Sequence, residues 1–212
     1  MTIVFIDLDG TLLTRKGSEV YFALYLLRHG ILGPKQIASY FRFFLRWFPY
    51  FGGSVLKKNK AYLTGLVESD IIAIAERFAK GQLKHHIRVS LFKELESHRR
   101  RGDHLVLLTG SLDILATPLA EIFNIPEVYA TRCQTREGRF TDRPPSSHPS
   151  GEEKRRIADQ VAKNHRSRLS NCIAYADSMD DLPLLSAVSR PVSVDPGSGL
   201  RRIARSKNWE IL

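Results

Sequence analysis

Cysteine is scarce in this chain of 212 residues: Cys133 and Cys172 are the only two, too isolated to form a zinc site or a disulfide framework. They read as packing residues, and the cytoplasm is the expected location. Long apolar runs are missing too. A membrane-spanning helix needs about 20 apolar residues, and the most aromatic stretch, SYFRFFLRWFPYFGG at 39–53, is interrupted by Arg42 and Arg46. Met1 leads almost directly into an apolar run and an acidic turn, with no basic region or small-residue cleavage site, so no secretory signal is expected. Acids are scarce in one section only. Residues 14–90 hold 13 Lys and Arg against four acids (Glu19, Glu68, Asp70 and Glu76), whereas the remainder holds 19 bases and 18 acids. The net charge of +10 is therefore concentrated in a basic section near the start of an otherwise neutral chain. Such a field attracts phosphorylated small molecules or anionic lipid, or simply keeps a surface soluble. Its confinement to one section argues against nucleic acid as a partner. A hydrophobic content of 43% and a charged content of 25% are those of a globular protein with a sizeable core.

Four short apolar runs end in polar residues. Ile3-Val4-Phe5-Ile6 ends at Asp7, and Leu105-Val106-Leu107-Leu108 at Thr109-Gly110-Ser111. Cys172-Ile173-Ala174-Tyr175-Ala176 ends at Asp177, and Pro191-Val192-Ser193-Val194 at Asp195-Pro196-Gly197. Continuous runs of this kind are strands buried on both faces. Helical spacing over 91–101, 114–123, 152–163 and 182–187 separates them, which predicts an α/β fold with a doubly wound parallel sheet. Ligands of such sheets bind beyond the carboxyl ends of the strands, where Asp7, Thr109 and Asp177 fall. Residues 15–88 break the rhythm with helical patterns at 20–29, 34–48, 56–66 and 69–80 and no buried strand. Pro34 suits the first turn of a helix, Pro49 with Gly52-Gly53 its end, and Ser69-Asp70 a cap. The predicted organisation is a core of 1–14 and 89–212 with an all-helical cap domain inserted at 15–88. A hairpin centred on Glu137-Gly138 leads into a Pro/Ser-rich loop at 143–151.

Asp7-Leu8-Asp9-Gly10-Thr11 concentrates chemistry. On extended backbone residues i and i+2 share a side, so Asp7 and Asp9 project together, and Gly10 permits a sharp turn. Two adjacent carboxylates need a divalent cation, a shared proton or a cationic neighbour. Mg²⁺ is the hard cation that suits them. Asp177 and Asp181 add carboxylates at another strand end, one to complete a metal site and one to orient water or a cation. Thr109 and Gly110 offer a hydroxyl and unhindered N–H groups to phosphate oxygens, and Lys154 a point charge.

These four pieces in this order resemble the haloacid dehalogenase (HAD) superfamily of phosphatases, and the ending of the chain resembles its subfamily IB hydrolases of phosphoserine-phosphatase-like type. The resemblance implies a Rossmann-like three-layer core with a parallel sheet and a helical C1-type cap. It implies Asp7 as nucleophile forming an aspartyl-phosphate, and Asp9 as general acid and base. Mg²⁺ would be held by Asp7, the Asp9 backbone carbonyl and Asp177, with Asp181 behind them. The phosphoryl group would be gripped by Asp7, Thr109, Gly110 and Lys154. The expected activity is Mg²⁺-dependent hydrolysis of a small phosphomonoester: phosphoserine-like, an amino-alcohol phosphate, or another anionic or amphiphilic one. Two rivals stand beside it: a phosphotransferase using the same intermediate, and a membrane or nucleic-acid docking module with a vestigial site.

Phosphoserine phosphatases carry an acidic residue soon after the first motif that grips the substrate ammonium. Here that region begins with Arg15 and Lys16, and Glu19 comes slightly later, which counts against phosphoserine unless loop geometry shifts Glu19 into that place. Lys16, Glu19, Lys57 and Lys58 are the expected specificity residues. On a helix over 34–48, Lys35, Ser39, Arg42 and Arg46 form a polar stripe opposite Ile37, Phe41, Phe44, Leu45 and Phe48. That apolar side is assigned to the cap core, with a substrate-tail pocket, a dimer contact or peripheral membrane contact as its other uses. The chain is expected to be a monomer or homodimer.

Overall fold

The computed structural model describes residues 1–14 and 17–212. Strand β1 (Ile3–Ile6) is followed by four helices: α1 (Ser18–Arg28), α2 (Pro34–Phe51), α3 (Val55–Lys58) and α4 (Glu68–Gly81). Helix α5 (Val89–Arg100), β2 (His104–Leu112), α6 (Asp113–Ile122) and β3 (Glu127–Thr131) come next. A small hairpin, β4 (Thr135–Arg136) and β5 (Arg139–Phe140), precedes α7 (Glu152–Asn164), β6 (Ile173–Ala176), α8 (Leu182–Leu185), β7 (Arg190–Ser193), α9 (Ser198–Ser206) and β8 (Glu210–Ile211). The main sheet has six strands in the order β3-β2-β1-β6-β7-β8, each pairing parallel with its neighbours. The chain steps outward from β1 to β2 and β3, then returns to the other side of β1 with β6. Such a reversal opens a crevice at the carboxyl ends of the two strands that flank it. Here those strands lead into Asp7 and Asp177.

Alternate residues of the strands feed two apolar layers. Val4, Ile6, Leu105, Leu107 and Tyr175 meet side chains of α1, α4, α5 and α6, including Phe22, Phe78, Leu95 and Leu119. Ile3, Phe5, Val106 and Leu108 meet Ala158 and Val161 of α7, Leu184 and Leu185 of α8 and Leu200 of α9 on the opposite face. The sheet is thus the middle of three layers, as expected. Helices α1 and α4 share the first layer with α5 and α6, while α2 and α3 close a small cluster of their own around Phe43, Val55 and Ala61. The backbone of Thr14 is tied to His86 by a 2.7 Å hydrogen bond, so the helical segment leaves and rejoins the rest through adjacent strands of chain.

Several local expectations are corrected. Helix α2 does not stop at Pro49 but runs through it to Phe51, ending at Gly52 with φ of 51°; a proline one turn from the end removes only one N–H from the ladder. The helix expected over 56–66 is broken, α3 giving way to a 3₁₀ turn at Ala61–Leu63. Helix α4 starts at Glu68 after an extended Val67, so Ser69 and Asp70 lie inside its first turn and cap nothing. Strand β2 continues to Leu112, carrying Thr109, Gly110 and Ser111 through an irregular register with β3.

The largest correction concerns α2. Its buried residues are Ser39 and Phe43, because a small Ser39 lets residues 59–64 approach closely. Asn59 Nδ2 donates to the Tyr40 carbonyl at 2.9 Å and Gln36 Nε2 to the Thr64 carbonyl at 3.2 Å. Most of the predicted apolar side is left uncovered instead: Ile37, Phe41, Leu45 and Phe48 are exposed, Leu45 by 75%, and only Phe44 is half-buried, against Phe43, Val55 and Ala61. Among the described residues no helix is long and apolar enough to cross a membrane.

Candidate active site

Asp7 follows β1 directly, its N–H bonded to the Tyr175 carbonyl of β6 at 3.0 Å. This pairing sets Asp7 beside the end of β6, where Asp177 stands. One carboxylate oxygen from each of Asp7, Asp177 and Asp181 lies within 4.8 Å of the others, and all three residues are buried. Lys154, in the first turn of α7, is buried among them; its Nζ donates to Asp7 Oδ1 at 2.6 Å and to Asp181 Oδ1 at 2.5 Å. Asp181 Oδ2 accepts from Ser178 Oγ at 2.7 Å. One ammonium among three carboxylates leaves excess negative charge in a buried place. Burial pushes the Asp7 carboxyl up to about 7, against the pull of the Lys154 ammonium and with Asp181 and Asp177 adding to the rise. Lys154, despite its own burial, is held above its ordinary range by Asp181 and Asp7.

Gly10 makes this packing possible. Its φ is +82°, and a Cβ built on it would lie 2.7 Å from Asp177 Cγ. The loop is clamped from behind by Arg88, whose guanidinium donates to the carbonyls of Thr11 and Gly10, each at 3.0 Å.

Asp9 is held differently. Its Oδ1 accepts the Ser18 N–H at 2.8 Å, and its Oδ2 accepts the Ser18 hydroxyl at 2.9 Å and the Ser111 hydroxyl. Its side chain is thus engaged outside the Asp7, Asp177 and Asp181 cluster. Burial raises the Asp9 carboxyl, with the Ser111 and Ser18 hydrogen bonds opposing.

A cavity of about 860 Å³ opens over this cluster and is lined by Asp7, Asp9, Thr109, Gly110, Lys154, Asp177 and Asp181. Of the expected specificity residues, Glu19 and Lys57 line it too, whereas Lys58 does not and places its ammonium 4.4 Å from the centre of the Phe51 ring. Lys16 lies outside the described residues. Glu19 is already partnered: Lys60 Nζ lies 2.5 Å from Oε2, and the Tyr62 hydroxyl donates to Oε1 at 3.2 Å.

Sequence reasoning missed Ser18, Ser111, Lys60, Tyr62 and His148. The Thr131 hydroxyl donates to the Gly110 carbonyl at 2.6 Å and so receives the His148 Nδ1–H at 2.8 Å. Burial, with Lys60, Lys58 and Lys57 nearby, pushes the His148 ring down to about 4, which leaves it neutral near pH 7. The proline-flanked context of His148 and the spacing of the two serines carry no sequence signal.

The geometry can be set beside known proteins. A family model described as haloacid dehalogenase-like hydrolase matches residues 4–186. A histidinol-phosphatase of Neisseria meningitidis is 26% identical, the match covering 97% of this chain and 96% of that protein. The crystal structure of a protein of unknown function from Bordetella pertussis superposes with a TM-score of 0.82 at 26% identity, covering 100% and 97% of the two chains. A phosphoserine phosphatase solved as a phospho-aspartyl intermediate analogue shares the fold at a TM-score of 0.61 and 15% identity, covering 99% of this chain and 91% of that one.

Proposed function

The chain belongs to the haloacid dehalogenase-like hydrolase family and is a phosphatase, and from that premise we propose that it hydrolyses phosphomonoesters with Mg²⁺ through an aspartyl-phosphate on Asp7. The observation that carries this reading is the different treatment of two carboxylates two residues apart. Asp7 is set against the Lys154 ammonium, whereas Asp9 is turned onto the hydroxyls of Ser18 and Ser111. Environments that separate two acids separate their chemical roles.

The donor set suits a hard divalent cation: buried carboxylate oxygens, with excess negative charge and no sulfur or imidazole among them. Asp7, Asp177 and the Asp9 carbonyl would hold it, with Asp181 behind. When bound, Mg²⁺ neutralises the charge that otherwise repels an anionic substrate from an anionic nucleophile.

An oxygen of Asp7 attacks phosphorus and the P–O bond to the leaving alcohol breaks. Asp9 gives its proton to that departing oxygen. In the second half the ionised Asp9 takes a proton from water, whose oxygen attacks phosphorus and releases Asp7 and inorganic phosphate. Lys154, Thr109 and the Gly110 N–H position phosphoryl oxygens, and Lys154 through Asp181 is itself fixed by Ser178. Removing one such electrostatic donor costs about 10²–10³ in kcat.

Phosphate release from a panel of phosphomonoesters, with and without Mg²⁺, tests the reading. Asp7→Asn is expected to abolish release, and Lys154→Ala to lower kcat by about 10²–10³-fold. Unchanged release by Asp7→Asn overturns the nucleophile assignment. Adding an acceptor alcohol separates hydrolysis from phosphoryl transfer by the product formed.

A further inference from the structure

The cavity over Asp7 has both a charged and an apolar lining. Away from the carboxylates its wall is built by Leu24 and Leu27 of α1, Leu32 of the following turn, Ile37 and Tyr40 of α2, and Leu56 of α3. Four of these, Leu24, Leu27, Ile37 and Leu56, are between 43% and 55% exposed. Large apolar side chains that line a concavity yet stay wet are a surface shaped for an apolar occupant.

The charged groups at the entrance to this apolar part are spoken for. Among the described lining residues, Glu19 is neutralised by Lys60 and hydrogen-bonded by Tyr62, and Lys57 is paired with Asp180. His148 is neutral near pH 7. An ammonium or carboxylate carried by a substrate would have to share a group that already has a partner, whereas a methylene chain would pass them without exchange. The apolar residues and the carboxylates line one cavity, so a single molecule can reach both.

We propose that the substrate is a phosphomonoester carried on an aliphatic chain, its phosphate at Asp7 and its chain between α1, α2 and α3. This rests on the phosphatase reading above and narrows it to a substrate class. The cap helices then select by area rather than by charge: each methylene fully withdrawn from water is worth about 0.8 kcal/mol, or close to fourfold in kcat/KM, and less where the wall is open on one side.

The test is a series of n-alkyl phosphates from ethyl to decyl, held below their micelle-forming concentrations, with O-phosphoserine and phosphoethanolamine as charged comparators. Phosphate release in Mg²⁺ is measured for each. The expected result is a rise in kcat/KM of about two- to fourfold per methylene, on the order of 10²-fold or more from butyl to decyl, with both comparators poorer than decyl phosphate. Leu27→Asp and Leu24→Trp, one charging and one filling the channel, should bring the decyl-to-butyl ratio toward one. Two variants at exposed positions guard against a single misfolded protein. A flat dependence on chain length, or preference for either amine-bearing comparator, overturns the proposal while leaving the phosphatase reading in place. Release from none of the compounds overturns both. Given the expected rise, comparison of an acylglycerol phosphate with a prenyl phosphate identifies the source of the chain.

Discussion

Gly10→Ala tests whether the packing of the acidic cluster is as tight as the structure has it. Two costs are separable. The first is backbone: φ of +82° is left-handed, costing a residue with a Cβ about 1–2 kcal/mol. The second is contact. The new Cβ would stand 2.7 Å from Asp177 Cγ, and Asp177 is only 3% exposed, so its carboxylate must shift within a buried cluster. Gly138 supplies the control, with φ of +70° and nothing within 4 Å of a built Cβ. Gly138→Ala should therefore show the backbone cost alone, a fall in Tm of about 2–8 °C for a chain of this size, with Mg²⁺ half-saturation unchanged. Gly10→Ala should lose more stability than the control and need at least about tenfold more Mg²⁺ for half-maximal phosphate release, about 1.4 kcal/mol. Thermal unfolding and a Mg²⁺ titration of activity read both effects. A Gly10→Ala protein with the control's Tm and wild-type Mg²⁺ dependence would refute the placement of Asp177 against the loop.

Ser111→Ala removes one of the hydroxyls that hold Asp9; a hydrogen bond to a charged group contributes about 1.5–3 kcal/mol of stability, so Tm should fall by about 3–12 °C and kcat with it, and wild-type Tm and kcat would deny Ser111 a part in placing Asp9. Lys60→Met strips Glu19 of its ammonium, leaving an underpaired, mostly buried charge; urea unfolding should show a loss of about 2–4 kcal/mol, largely regained in Glu19→Gln/Lys60→Met, and a loss within 0.5 kcal/mol of zero (roughly the noise for a surface change) would contradict the pairing. Against the upward push of burial, His98, the Thr2 N–H and Arg101 hold Asp103 below the usual carboxylate range. A carboxyl lowered in the fold contributes stability above its unfolded pKa of about 3.9 and loses it as pH falls through the folded value. Asp103→Asn should therefore destabilise at pH 7 and progressively less on acidification below about pH 4, measured by urea unfolding across that range; a penalty independent of pH would contradict this.

Strand ends were the legible part of the site. Buried parallel strands are continuous apolar runs, so the residue that stops each run is visible in the sequence; Asp7 and Asp177 follow their strands, whereas Thr109 stops its apolar run inside β2. The edge strands β3 and β8 were not, because Glu127–Thr131 is only partly buried and Glu210–Ile211 spans two residues that are both exposed. The pairing of Lys60 with Glu19 joins residues 41 apart, and Ser111 reaches Asp9 across 102; no local pattern encodes such meetings. Periodicity in α2 correctly announced an apolar face but not what would cover it. That depended on Ser39 being small and on Asn59 reaching the Tyr40 carbonyl, which turned the serine side inward.

The central claim is that Asp7 carries the phosphoryl group. The most direct test is mass analysis of peptides from enzyme quenched in acid during turnover of a good phosphomonoester in Mg²⁺. One added phosphoryl group on the peptide containing Asp7, absent from Asp7→Asn, is the predicted result. Steady release of phosphate with no phosphoryl group on that peptide, or with one on a different residue, would contradict it.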